Sequence, residues 1–411
     1  MMQQVRLNRD RRKPSSKALW VTELLLLLLL VINVFSQSFL NAKMPVADLF
    51  VSLVLFLYLI YASRCILRLS RAELFYIVVF LIFSVLALAL SEDRAYTVKR
   101  LLTLFTQSVT LMLLAVSLSR ACTGRQLAAI MRSNIIKYAL VLLAAVNILL
   151  MALGRALGVF ELGGIEVGNY ISQRYYGFQN TPAFASGLSL CLLYCGFSSR
   201  RWVLRGISLA AVAATFLLSE SRAGLVAIVA FLLAFLFLSV DRGKNAFKLI
   251  LIGAVCAGIL GIVLINVKDL NEISSYRIEL WEIAIKNTKP LFGNALAFMH
   301  IQTPTDIYEG GAHNTFIQLL YTCGWPLTVA LLSIVFYKLL RALRGVRQVY
   351  LQAKDYFREY IALLSLSAGI LAFCMFESHL FYVRCTVSFM FFYALYRIEI
   401  ISRLVGKKES V

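Results

Sequence analysis

Histidine is scarce in this chain, at three residues in 411, and acids are few, with 21 Asp and Glu against 41 Lys and Arg. Charge of either sign makes up only 15% of the sequence. The eight cysteines (65, 122, 191, 195, 256, 323, 374 and 385) include no CxxC pair and no metal-type spacing. Cys191 and Cys195 stand four apart on one helix, which suits small packing residues better than a bridge. The histidines His300, His313 and His379 are not at ligand spacing, and paired carboxylates are missing, so no metal is expected. No nucleotide-binding motif, internal repeat, long linker or low-complexity tail is visible, and no cofactor is expected.

What is abundant is apolar. The chain is 60% hydrophobic with 28 Phe and a mean hydropathy of +0.80. A soluble domain of this length has no interior large enough for that surface, so an integral membrane protein is expected. The apolar runs are continuous rather than alternating, which excludes a β-barrel. Twelve are long enough, at about 17–25 residues, to cross a hydrocarbon core of about 30 Å as helices: 18–36, 46–62, 73–90, 101–119, 134–153, 182–198, 202–218, 223–240, 247–267, 315–337, 359–376 and 385–401. The expected fold is therefore an all-α polytopic bundle in one integral membrane domain over 1–411. Residues 1–17 form a basic leader, and the first run reads as a retained anchor because no small-x-small cleavage site follows it.

The net charge of +20 follows topology. Basic clusters such as "RLNRDRRK", "SRRWVLR" and "KLLRALRGVRQ" fall on alternate loops, which the positive-inside bias places in the cytoplasm with both termini, including the 402–411 tail. That pattern makes nucleic acid an unneeded partner and membrane lipid an obligatory one. The opposite, outer side carries two substantial loops, 154–181 and 268–314, and the short loops 91–100, 219–224 and 376–384. Arginines on that side stand against the bias and call for a reason.

Four places stand out. Arg222 lies in a tight turn between two apolar spans, either as a hairpin cap paired with Glu220 or as a fixed cation at the membrane surface. Arg277 opens "YRIELWEIAIKNTKPLFGN", where Ile278, Trp281 and Ile285 recur at helical spacing and Ser275 is placed to cap. A short amphipathic helix on the outer leaflet is expected there, stopped by Pro290 and Gly293. Arg174 lies in "NYISQRYYGFQNTPAFASG", whose Tyr175 and Tyr176 suit either a sugar ring or an interfacial belt. His313, between Ala312 and Asn314, reads either as a loop residue beside a helix cap or as a general base. Gly324 and Pro326 beyond it predict a kinked or re-entrant start to the next span. One base and several guanidiniums suit a reaction that activates a hydroxyl and expels a pyrophosphate-like group.

These residues carry a resemblance. "RYYGFQNTPAFASG", "LSESRAG", the Arg-x3-Trp-x8-Pro-x2-Gly stretch from Arg277 to Gly293, and His313-Asn314 followed by nine residues and Gly324 resemble, in order, the motifs of the O-antigen ligase and polymerase superfamily. The likeness spans about residues 170–330. It departs at Leu327 and at the Asn-Thr-Pro of 180–182. It implies a polytopic glycosyltransferase of the Gram-negative inner membrane with its site on the periplasmic side. Such an enzyme moves a polysaccharide from undecaprenyl pyrophosphate to lipid A–core oligosaccharide with inversion, using neither nucleotide nor metal. Carried over by position, Arg222 and Arg277 bind the donor pyrophosphate and His313 activates the acceptor hydroxyl. Arg174, Asn314, Tyr175 and Tyr176 line the substrate cavity. An O-antigen polymerase with the same donor, and a polyprenyl-glycan transporter or flippase, remain alternatives. Spans nearly free of charge weigh against transport. Glu377, His379 and Arg384 are polar residues of the last outer loop without a role fixed by motif.

Overall fold

The computed structural model describes residues 16–35, 71–91, 93–105, 124–158, 160–162, 165–167, 170–171, 174–179, 181–239, 277–296, 299–302, 307–381 and 385–408, with residues 50, 54 and 57 as isolated points. Most of these are helical, as apolar runs must be where lipid offers the backbone no hydrogen-bond partner. In chain order the helices are α1 (Ser16–Phe35), α2 (Arg71–Leu90), α3 (Arg94–Phe105), α4 (Gly124–Arg132), α5 (Ile135–Leu157), α6 (Pro182–Ser198), α7 (Trp202–Ser219), α8 (Arg222–Ser239), α9 (Arg277–Lys286), α10 (Thr315–Gln352), α11 (Lys354–Cys374) and α12 (Thr386–Lys408). Among the described residues six helices are long and apolar enough to cross a membrane. The chain is a multi-pass membrane protein. All of the expected span 247–267 and most of 46–62 and 101–119 lie outside the described residues.

Several loops prove to be ordered elements. Residues expected to form the outer loop 91–100 are helical from Arg94, and the basic "KLLRALRGVRQ" continues α10 rather than leaving it. α12 likewise carries the expected tail as far as Lys408. The two larger loops hold three two-stranded antiparallel hairpins, a departure from an all-α chain: β1 (Phe160–Leu162) with β2 (Ile165–Val167), β3 (Tyr170–Ile171) with β4 (Arg174–Tyr175), and β5 (Met299–Gln302) with β6 (Ile307–Gly310).

α6, α11 and α12 form the centre. Every α6 residue from Phe184 to Gly196 is buried. α7 buries one row, Ser208, Val212, Thr215 and Ser219, and turns apolar side chains such as Ile207 and Leu217 outward. That arrangement suits lipid outside and small residues inside. A Cβ at Gly369 of α11 would stand 2.9 Å from the Ala227 carbonyl of α8, and one at Gly224 would stand 2.7 Å from Ser186 Cβ. Hydroxyl pairs tie the same helices, Ser189 with Thr215 at 2.6 Å and Ser186 with Ser221 at 2.9 Å.

The spans are not as free of charge as the sequence suggests. Arg397 of α12 is fully buried. Its Nη2 donates to Glu359 Oε1 at 2.7 Å and to the Met131 carbonyl at 2.9 Å, and its Nη1 donates to the Ile130 carbonyl at 2.8 Å. Those carbonyls belong to the last turn of α4, where helices leave acceptors unmet and favour a cation. Glu359 also accepts from Tyr194 at 2.9 Å and lies 3.6 Å from Lys137. A second tie, Lys338 to Glu73 at 2.8 Å, joins α10 to α2.

The predicted kink is present. Gly324 has φ 69° and ψ −178° inside α10, a conformation only glycine adopts without strain. Pro326 has no N–H to offer the Thr322 carbonyl, and Leu296 supplies it instead at 3.0 Å. Asn294 N–H meets the Tyr321 carbonyl at 2.8 Å, and Trp325 N–H meets the Pro290 carbonyl at 2.8 Å. The segment 290–296 therefore docks into the break, with Gly293 against Gly324 so closely that a Cβ on either would overlap backbone at 2.5–2.6 Å. This pins the chain that follows α9 to the helix that follows His313.

Candidate active site

The sequence "FESHL", residues 376–380, follows α11 and is held under the start of α10. Asn314 caps α10 by accepting from Phe316 and Ile317 N–H at 2.9 and 3.2 Å, as an N-cap Asn does. Its Nδ2 donates to the Met375 carbonyl at 3.0 Å, and its own N–H meets Ser378 Oγ at 3.1 Å. Thr315 Oγ1 donates to the Glu377 carbonyl at 2.7 Å. The other side of His313 is fixed by Ala312, whose carbonyl accepts from Trp281 Nε1 at 2.8 Å and whose N–H meets Gln318 Oε1 at 2.7 Å. His313 itself takes φ 46°, the left-handed region that a non-glycine residue occupies at a cost and chiefly where surroundings compel it.

That backbone presents the imidazole to Glu377. His313 Nδ1 lies 3.3 Å from Glu377 Oε2, while Arg277 Nη2 lies 3.1 Å from Oε1 and Arg277 Nη1 donates to the Phe376 carbonyl. His379 Nε2 stands 3.7 Å from the same Oε2. One carboxylate thus gathers a guanidinium and two imidazoles. The Glu377 side chain is 8% exposed, Arg277 23% and His313 41%. His313 is therefore the member a substrate can reach.

Burial alone would raise the Glu377 carboxyl. The hydrogen bond from His313, then the charges of His379, Arg277 and His313, outweigh it and hold the group below the usual carboxylate range. His379 moves the other way for an imidazole: burial, only partly offset by Glu377, lowers it to about 4. It is neutral at physiological pH, stacked on Phe184 with centroids 4.2 Å apart, and its Nδ1 finds no hydrogen-bond partner. Glu377, ionised and only able to accept, takes the hydrogen bond of His313 Nδ1, which leaves Nε2 as the ring nitrogen not held by the cluster.

Phe184 leads from this cluster to the second arginine. It sits in the first turn of α6, two residues before Ser186, whose hydroxyl donates to Ser221. Ser221 caps α8 by accepting from Gly224 N–H at 3.2 Å, so Arg222 is the first helical residue and is exposed. In "LSESRAG" the serine makes the cap, the glycine lets α8 approach Ser186, and Arg222 occupies the turn the dipole least favours for a cation. Glu220 ends α7 in the left-handed region at φ 48°, and its carboxylate lies 3.9 Å from Arg174 Nε.

Arg174 is set on β4 by the residues after it. Gly177, at φ 68°, backs onto Asn147 of α5, whose Oδ1 accepts from Phe178 N–H at 3.1 Å, and Gln179 reaches the Val34 carbonyl at 3.2 Å. The motif "RYYGFQN" is thus a docking strap that holds Arg174 over the α7–α8 turn. Tyr176 is buried against Met151 and Ala185, with Tyr175 half-buried beside it. Tyr176 is a packing residue in this structure rather than an open sugar platform, and Asn314 is engaged at both ends of its amide within the protein.

α9 forms where the sequence predicts it, but with a different inner face. Ala284 is fully buried, and Leu280, Trp281 and Ile283 pack with it on Tyr321, Ile317 and Ala312, while Ile278 and Ile285 point outward. The proposed cap Ser275 and Arg384 lie outside the described residues.

Sequence reasoning placed His313, Arg277, Arg222 and Arg174 in loops but had no role for Glu377. The signal available was an acid and two polar neighbours in a short outer loop where charge is rare. Residues 207–332 match the family model described as O-antigen ligase. Arg222, Arg277 and His313 fall inside that match; Arg174 and Glu377 fall outside it. No curated protein matches the chain.

Proposed function

From the match of residues 207–332 to the O-antigen ligase family model, we propose that this chain transfers a polysaccharide from undecaprenyl pyrophosphate to a sugar hydroxyl of lipid A–core oligosaccharide at the periplasmic face of a Gram-negative inner membrane. The observation that carries this reading is the His313–Glu377–Arg277 cluster, with one nitrogen of an accessible imidazole fixed by a buried carboxylate and the other open. That is the arrangement of a general base acting on an alcohol.

In the proposed step the acceptor oxygen attacks the anomeric carbon of the donor sugar. Its proton passes to His313 Nε2, while Glu377 holds Nδ1–H and stabilises the imidazolium that forms. The bond from the anomeric carbon to the pyrophosphate oxygen breaks, and the electron pair leaves with the pyrophosphate. Attack opposite to departure inverts the anomeric centre. Arg222 and Arg277 supply cationic stabilisation to the leaving group. Because Arg277 also holds Glu377 and the Phe376 carbonyl, donor binding and base orientation meet on one guanidinium. Arg174, beside Glu220, lines the approach with Tyr175. Asn314 fixes His313 and does not read sugar. The carboxylate–imidazole–guanidinium chemistry is complete in side chains, so neither metal nor nucleotide is invoked.

A strain lacking the gene tests the reading. Lipopolysaccharide without any glycan-bearing band, together with long polymer retained on undecaprenyl pyrophosphate, supports ligase. Core bearing a single repeat unit would replace it with polymerase. An unchanged ladder would remove glycan transfer altogether and favour a transporter. Within the reading, Arg277→Lys is expected to fail because an ammonium cannot reproduce the planar fork.

A further inference from the structure

The end of the bundle away from His313 holds a second concentration of charge that the transfer reaction does not use. α6 runs 17 residues from Pro182, near His379, to Ser198, about 25 Å at 1.5 Å per residue. α11 runs 21 residues from Lys354 to Cys374, just before the Glu377 loop. At the far end of both lie Arg200, Arg205 and Arg358. Arg358 is close enough to Arg205 and Arg200 for each to act on it electrostatically. Their one described carboxylate is Asp355, 3.6 Å from Arg200 Nη2 and 91% exposed. An exposed pair of this kind offsets little repulsion. Arg205 donates by Nη2 to the Ser199 carbonyl at 3.1 Å, but its Nε has no hydrogen-bond partner.

Two helices begin at the same place. α7 starts at Trp202 and α11 at Lys354, and the Arg200–Asp355 contact brings their first turns together. Neither N-cap residue, Arg201 or Ala353, gives a side-chain hydrogen bond. Both turns therefore keep amide donors and positive dipole ends beside the guanidiniums. One residue on, α7 turns lipid-facing: Trp202 is exposed, and Val203 and Ile207 follow on one outward row. Guanidiniums and uncapped amides against an apolar helix face match a phosphate that carries acyl chains, whereas a soluble anion would use only the first half.

We propose that the Arg200–Arg205–Arg358 cluster at the joined starts of α7 and α11 binds the phosphate of an anionic phospholipid from the leaflet opposite His313, its chains lying along the outer face of α7. The proposal rests on the membrane-spanning character of the helices and not on the transfer reaction, so the failure of either leaves the other standing.

Native mass spectrometry of the purified full chain in neutral detergent tests it. Micelles are doped with dioleoyl-phosphatidylglycerol or with dioleoyl-phosphatidylcholine. Expected is retention of one or more phosphatidylglycerol molecules and not of phosphatidylcholine, with affinity about tenfold weaker in Arg205→Gln/Arg358→Gln. Arg200→Gln, at an exposed position, should weaken binding in the same direction and serves if the double variant does not assemble. Arg347→Gln, which removes the same charge from the α10 extension, should leave binding unchanged. Equal retention of both lipids, equal loss in Arg347→Gln, or no loss in either cluster variant would overturn the proposal. Displacement of the lipid by millimolar inorganic phosphate would assign the cluster to a free anion and overturn the lipid.

Discussion

Two clusters in this protein use nearly the same parts. At one end Glu377 gathers Arg277, His313 and His379; deep in the bundle Glu359 gathers Arg397, Lys137 and Tyr194. The difference is what is left over. Arg397 is wholly enclosed and spends its terminal nitrogens on Glu359 and on the last turn of α4. His313 is two-fifths exposed, held by one ring nitrogen, and strained at its backbone. A buried network whose main charges are paired fixes helices relative to one another, although Arg397 Nε is left without a hydrogen-bond partner. An accessible base with one nitrogen committed is arranged to act on something that arrives. The same carboxylate–cation chemistry thus holds the bundle in one place and, in the function proposed above, serves the reaction in the other.

The largest expected separation comes from removing the base. His313→Ala should reduce glycan transfer by about 10²–10⁴-fold, the range general base catalysis supplies, while membrane yield and detergent thermal stability stay near wild type. The check is transfer of lipid-linked glycan to acceptor by membranes carrying matched amounts of protein. Transfer at wild-type rate would remove His313 from the chemistry. The mirror experiment is Arg397→Met. It leaves Glu359 with Lys137, 3.6 Å away, as its remaining cation, and losing one partner of a buried pair costs up to about 3–5 kcal/mol. Yield and thermal midpoint should fall sharply, and transfer per folded molecule should persist. Adding Glu359→Gln should restore much of the stability, because the buried carboxylate charge goes with it.

A smaller effect should distinguish positioning from catalysis. Glu377→Gln keeps the shape but removes the charge that orients His313 and answers Arg277. Loss of such an orienting partner typically costs about 10–100-fold in related settings. The readout that separates it from a structural defect is the pH profile of transfer, which should change shape as well as height. A variant with the wild-type profile and reduced yield would make Glu377 a structural tie like Glu359.

How much of this was legible in the sequence follows from the kind of signal each part leaves. The turn at "LSESRAG", the helix after Arg277 and the break at Gly324 and Pro326 are local, set by a cap, a period and two backbone-special residues, and they formed where expected. Glu377 and His313 are 64 positions apart and meet only because α10 and α11 return the chain to the same end; no spacing rule reports that. Tyr175 and Tyr176 are identical in type, and the Gly177 strap decides which is buried. Glu359 and Arg397 left only a weak signal, an acid and a base at the charged margins of two apolar runs. Pairing them required knowing that α11 and α12 are neighbours.

The smallest effect concerns His379, and it tests whether the open cluster is built to stay neutral at its core. Burial lowers this imidazole to about 4 from an ordinary 6.5. The unfolded chain therefore binds a proton more readily than the folded one between those values. Stability is fully present above about 6.5 and is lost as pH falls toward 4, with a slope of at most about 1.4 kcal/mol per pH unit from one group. Glu377, lowered from its usual value, loses its contribution only further down, below about 4.5. Measuring thermal midpoints in detergent from pH 7.5 to 5 in the His313→Ala protein leaves a single imidazole in the cluster. Adding His379→Gln to that background should flatten the decline. An unchanged slope would show that His379 is not kept uncharged by Phe184 and the packing around it, and the contrast between an open site and a sealed one would then rest on His313 alone.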